Sequence, residues 1–68
     1  MEIIVNGESK TITPMSVTAF LESVGIDPTR VAVELNLDIL PKGEYKETTL
    51  REGDRLEIVH FVGGGGRP

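Results

Sequence analysis

Arg55-Leu56-Glu57-Ile58-Val59-His60-Phe61-Val62, running straight into Gly63-Gly64-Gly65-Gly66-Arg67-Pro68, is the stretch on which the fold turns. Its first part has the period of two that marks a strand. Leu56 and Ile58 are expected in the core, with Val59 and Phe61 on the opposite face of the sheet. The four glycines that follow have no Cβ and lose the most entropy on ordering, so they cannot continue a packed element. The reading is a domain over residues 1–62 and a flexible glycine-rich tail over 63–68. Bare backbone can enter a slot that excludes every other residue, and its carbonyl can be approached closely. The plain alternative is a terminal linker without chemistry.

Working outward, Arg51-Glu52-Gly53-Asp54 reads as a turn with Gly53 at a positive-φ position, and Leu50 anchors the chain before it. At the other end, Glu2-Ile3-Ile4-Val5-Asn6 is β-branched and apolar, and Asn6-Gly7 supplies the positive-φ pair of a tight hairpin. Residues 8–13 alternate as a half-buried return strand. Ile3 and Val5 share one face, which leaves Ile4 on the other.

Pro14 ends that strand because it has no amide for the ladder. Ser16 is a good helix N-cap, and Val17, Phe20, Leu21 and Val24 fall at i, i+3, i+4 and i+7, one face of a helix. Gly25 can take the left-handed position that closes it. So short a helix is marginal alone in water and is expected to draw its stability from lying on a sheet. Asp27-Pro28-Thr29 turns the chain into a strand in which Val31, Val33 and Leu35 alternate with Ala32, Glu34 and Asn36. Ile39-Leu40 reads as an edge piece before Pro41. Residues 41–49 read as a loop with room for a one-turn helix, in which Tyr45 packs its ring and keeps its hydroxyl near water.

A chain of 68 residues is one small domain, which buries only about 60% of its unfolded surface. A pocket of roughly 300–1,000 Å³ is hard to spare at that size, so a carrier or binding module is expected rather than an enzyme. There is no cysteine, which removes disulfides and thiol chemistry together. Hydrophobic residues at 38% are too many for a disordered chain, and no run approaches the ~20 residues of a membrane span. The start lacks a basic and apolar leader, so no membrane is expected and the cytoplasm is the expected location. A net charge of −4 disfavours nucleic acid as a partner; it reads first as ordinary solubility, with steering towards a basic surface on a partner protein as the functional alternative. His60 stands alone and reads as an ordinary strand residue, and no cluster of residues suggests a metal.

In this order the first and last strands can lie side by side in parallel at the centre of the sheet, with the helix across one face. The expected class is α+β: a ubiquitin-like β-grasp with a mixed sheet of four or five strands. The chain also resembles the ubiquitin-like sulfur-carrier proteins of thiamine biosynthesis over nearly its whole length. The resemblance lies in Ile3-Ile4-Val5-Asn6-Gly7-Glu8, the helix around Val17 and Phe20-Leu21, and Val31-Ala32-Val33-Glu34-Leu35-Asn36. It continues through Ile39-Leu40-Pro41-Lys42, Glu52-Gly53-Asp54-Arg55, and Glu57-Ile58-Val59-His60-Phe61-Val62-Gly63-Gly64-Gly65.

That resemblance implies a cycle in which a partner adenylating enzyme uses ATP and magnesium to activate a terminal glycine carboxylate. A persulfide from a sulfur donor such as a cysteine desulfurase then converts it to a thiocarboxylate, and thiazole synthase receives the sulfur. Members of the family end at a glycine, whereas Arg67 and Pro68 follow here. A processing peptidase is therefore implied, exposing Gly66, or Gly65 by register with the family. Gly63 and Gly64 supply reach. Ile4, Val59 and Phe61 form the expected docking face for the adenylating enzyme. The competing readings are a carrier for molybdopterin or another sulfur-containing metabolite, and a ubiquitin-like binding domain whose tail never reacts.

Overall fold

A computed structural model of the chain describes residues 1–61. The expected tail, Gly63 to Gly66 with Arg67 and Pro68, lies outside the described residues, as does Val62. Five strands form one sheet in the order β2-β1-β5-β3-β4. These are β1 (Glu2–Val5), β2 (Glu8–Thr11), β3 (Val31–Leu35), β4 (Asp38–Leu40) and β5 (Arg55–His60). One α-helix, α1 (Val17–Ser23), and two short 3-10 turns, Pro28–Arg30 and Lys42–Glu44, complete the described elements. β1 and β5 are parallel neighbours, and the remaining pairs are antiparallel. This is the ubiquitin-like β-grasp read from the sequence.

The central parallel pair is built by apolar residues of one parity. Ile3, Val5, Leu56 and Ile58 are buried beneath the helix, together with Val31 and Val33 of β3. Val17, Phe20 and Leu21 of α1 close the core from above, and Tyr45 and Leu50 fill its end. The Ser16 hydroxyl accepts the Ala19 amide at 3.0 Å, satisfying one of the free donors at the start of α1. At the other end Gly25, at φ 81°, donates to Glu22 O at 3.0 Å and Ile26 donates to Leu21 O at 2.9 Å. That is a Schellman closure.

Three details differ from the sequence reading. Val24 was expected in the apolar stripe but is 48% exposed, because the closure at Gly25 folds Ile26 back against the core in its place. The return strand β2 is exposed at all four positions rather than half-buried. Its residues are Glu8, Ser9, Lys10 and Thr11, which offer the helix side nothing apolar and suit an edge strand. Tyr45 does not keep its hydroxyl near water. The residue is 3% exposed and its hydroxyl donates to the Val31 carbonyl at 3.3 Å; burial pushes the phenol pKa up.

The turn between β3 and β4 was not visible beforehand. Asn36 and Leu37 both adopt positive φ, at 53° and 74°, as a two-residue hairpin turn requires. Asparagine tolerates that region, but a leucine there costs about 1–2 kcal/mol, and the Leu37 side chain is 78% exposed. Leu37→Gly is expected to stabilise the domain by about 0.5–1 kcal/mol in urea unfolding, after the entropic cost of glycine is deducted. A destabilised variant would mean that the side chain is held by contacts worth more than the strain.

Candidate functional site

The sheet face away from α1 carries residues of the other parity, and the strand registers set them out in rows. Val59 lies opposite Ala32, Glu57 opposite Glu34, and Glu34 opposite Ile39. Val59 is 61% exposed and Phe61, just past β5, is 55% exposed. Both therefore stand on the face expected of them, with exposed Ala32 beside Val59. Ile39 and Leu37 are exposed as well, but Ile39 lies in the next row, opposite Glu34, and Leu37 stands in the turn beyond it, at the end of the sheet away from Phe61.

Ile4 points to the same face but does not join this patch. It is paired with Arg55, four residues before Val59, which at the rise of a strand is about 13 Å away. The row between them holds Glu34 and Glu57 directly across from each other. Like charges so placed cost stability, and they give the patch an acidic border suited to a basic partner surface. Parity predicted the face of Ile4; it could not predict its offset along the sheet.

Phe61 is held where β5 ends. Its amide donates to Arg30 O at 3.0 Å, and the Lys42 ammonium stands 4.7 Å from the centroid of its ring. Lys42 Nζ also donates to Thr29 O at 2.8 Å. The Thr29-Arg30 turn is itself fixed by Asp27, whose carboxylate accepts both the amide of Thr29, at 2.9 Å, and its hydroxyl, at 2.8 Å. These two hydrogen bonds, with Arg30 and Lys42 nearby, hold the Asp27 carboxyl below its ordinary pKa. Lys42 did not stand out from the charged stretch around it, since a cation on a ring is a tertiary contact without local spacing.

Two cavities open on the helix side. One of about 520 Å³ lies between α1 and the two 3-10 turns, lined by Thr18, Glu22, Asp27, Lys42, Tyr45 and Lys46 among others. The other, of about 210 Å³, is lined by Val5, Phe20, Val24, Ile26, Ile58 and His60 among others. His60 is exposed on β5, opposite Val31 in register. Among the described residues no three histidine or carboxylate side chains converge as a metal site would need. No described helix is long and apolar enough to cross a membrane. Gly63, Gly64, Gly65 and Gly66, the expected reactive end, lie outside the described residues.

Comparison with known proteins gives consistent matches. The model of the ThiS family matches residues 3–65. The chain is 46% identical over 66 residues to a thiazole synthase of Paramagnetospirillum magneticum, covering 96% of this chain and 20% of that protein. It thus spans about a fifth of the length of this thiazole synthase and of a second one, from Magnetococcus marinus. It is 47% identical over 45 residues to the sulfur carrier protein ThiS of Bacillus subtilis, covering 66% of this chain and 68% of that protein. The crystal structure of a thiamine biosynthesis protein (ThiS) from Geobacter metallireducens superposes with a TM-score of 0.81 at 33% identity, covering 96% of this chain and all of that one.

Proposed function

The chain belongs to the ThiS family, and on that premise we propose that it is a sulfur carrier of thiamine biosynthesis whose reactive group is a glycine carboxylate at the end of its tail. The observation that carries this reading is that the family match begins in β1 and runs through Gly65, taking in both the grasp domain and the glycines. The absence of cysteine supports it, since the backbone acid is then the one place in this chain that could hold transferable sulfur.

A carboxylate is a poor acyl donor, so activation falls to an adenylating partner supplied with ATP and magnesium. A carboxylate oxygen attacks the α-phosphorus, the bond to the β-phosphate breaks, and pyrophosphate leaves behind a glycyl adenylate. The outer sulfur of a persulfide, formed by a donor such as a cysteine desulfurase, attacks the acyl carbon and expels AMP. The resulting acyl disulfide is opened by a second thiol, which is oxidised to a disulfide while the glycine thiocarboxylate is released. Thiazole synthase then takes the sulfur; the likeness to thiazole synthases supports it as acceptor. In this scheme the chain is a co-substrate, and ATP and magnesium bind to its partner in the cytoplasm.

An internal glycine carbonyl is an amide and cannot be adenylated, so the bond before Arg67, or before Gly66, must first be hydrolysed by a peptidase. The family match ending at Gly65 supports the shorter product, and the glycine run favours Gly66. Intact-mass measurement of the protein from its own cells tests the reading. A chain ending at either glycine, with sulfur in place of one oxygen, is expected. An active pool that keeps Arg67 and Pro68 would sink it.

The outer face around Val59 and Phe61 is the docking surface for the adenylating enzyme in this scheme. A buried aromatic anchor typically carries about 2 kcal/mol or more of an interface. Phe61→Asp is accordingly expected to weaken binding at least about tenfold while leaving the circular dichroism of the domain unchanged. Undiminished binding after that change would remove the patch from the mechanism. Ile4, distant from it, is expected to contribute little.

A further inference from the structure

We infer that Lys42 is a positioning residue for partner docking, acting through the ring of Phe61. The inference rests on the function proposed above. Three contacts meet at this point: Lys42 Nζ to Thr29 O at 2.8 Å, the same ammonium 4.7 Å from the Phe61 ring centroid, and the Phe61 amide to Arg30 O at 3.0 Å. The clasp thus ties Phe61, the last described residue and the one just past β5, to both 3-10 turns.

The backbone on each side of the clasp is fixed independently. Lys42 follows Pro41, at φ −62°, and accepts the Tyr45 amide at 3.2 Å; Tyr45 itself is anchored in the core. Phe61 lies one residue beyond the last strand pair, His60 with Val31, and the hydrogen bond its N–H donates to Arg30 O sets its Cα. What remains free is the direction of the ring. A long flexible lysine spends side-chain entropy to stay in one place, and here it is held by a carbonyl and a π-face together. The cation stands over a ring whose residue is still 55% exposed, so that an exposed aromatic is presented already oriented. Pre-organisation of this kind raises affinity by lowering the cost of ordering at the interface.

The test is the affinity of the full chain for the adenylating enzyme, measured by calorimetry. Lys42→Met, which keeps the stem and removes the charge, is expected to raise Kd about two- to fivefold, the range an exposed cation–π contact supports. Lys42→Arg is expected to restore it, and the thermal midpoint should stay constant in both. In a Phe61→Leu background Lys42→Met should have no further effect, because the residue works through the ring. An unchanged Kd in the single variant, or an equal loss in both backgrounds, would overturn the inference. The clasp also has a signature independent of any partner. The Lys42 Hε protons should be shifted upfield by the ring and return to ordinary positions in Phe61→Leu. Without that shift the clasp is wrong; a chain trimmed to end at Gly65 or Gly66 that is never adenylated would instead overturn the function.

Discussion

Replacing Gly65 and Gly66 together with valine is expected to leave the domain folded and to lower carrier-dependent adenylation and sulfur delivery by at least about a hundredfold. Among the described residues the buried core runs from Ile3 to Ile58, and neither substitution falls within it. What changes is the access of the acyl carbon. Each valine places a branched Cβ beside the carbonyl that ATP and then a persulfide must reach, and displacement of reacting atoms by an ångström is enough to cost about two orders of magnitude. Exchange of labelled pyrophosphate into ATP reads the first step, and the mass of the thiocarboxylate reads the second. Single substitutions separate the two candidate ends: if Gly65 is the mature terminus, Gly66→Val is removed with the trimmed residues and has no effect. Full sulfur delivery by the double variant would leave the fold standing and end the carrier reading.

The grasp fold was legible because its decisive signals are local. The Asn6-Gly7 turn, the Ser16 cap, the Val17, Phe20 and Leu21 stripe and the Gly53 turn each fix a joint without help from distant residues. They appear in the structure as the Asn6 and Gly7 positive-φ pair, the Ser16 hydroxyl bond, the buried helix face and a Gly53 at φ 84°. The misreadings concern matters that local pattern leaves open. The Val24 spacing fits the stripe, but its exposure depends on which of two neighbours, Val24 or Ile26, the helix closure turns inward. The β3–β4 turn escaped notice because Leu37 occupies a site where glycine would announce it. Facing was read correctly for Ile4, Val59 and Phe61, while the separation of Ile4 by the Glu34 and Glu57 row follows from the parallel register of β1 on β5. No short-range signal sets that register. The glycines proposed as the reactive end were marked by composition and by family likeness, and the Lys42 clasp by neither.

Asn6→Ala is expected to destabilise the domain by about 2–5 kcal/mol, the sum of a strained backbone and two hydrogen bonds. The parallel ladder between β1 and β5 is short: Ile4 donates to Asp54 O and Asn6 to Leu56 O, each at 2.9 Å. At Asn6 the chain leaves the strand for the hairpin, at φ 49°, and its side chain takes over the pairing. Its Oδ1 accepts the Ile58 amide at 2.7 Å while its Nδ2 donates to the Ile58 carbonyl at 3.2 Å. A carboxamide has the same donor and acceptor as a peptide unit, so this side chain extends the ladder after the backbone has turned away. Asn6→Gly keeps the positive φ and isolates the hydrogen bonds, at about 1–3 kcal/mol. Asn6→Asp keeps the acceptor but turns a carboxylate toward the Ile58 carbonyl, and should fall near the alanine variant. Against a total of about 3–10 kcal/mol for a domain of this size, such losses are large. They should appear as lower urea midpoints and faster hydrogen exchange at the Ile58 amide. Because β5 also carries Val59 and leads into Phe61, weakened docking should accompany them in proportion. An alanine variant within about 0.5 kcal/mol of the parent would show that the parallel pair closes without the side chain.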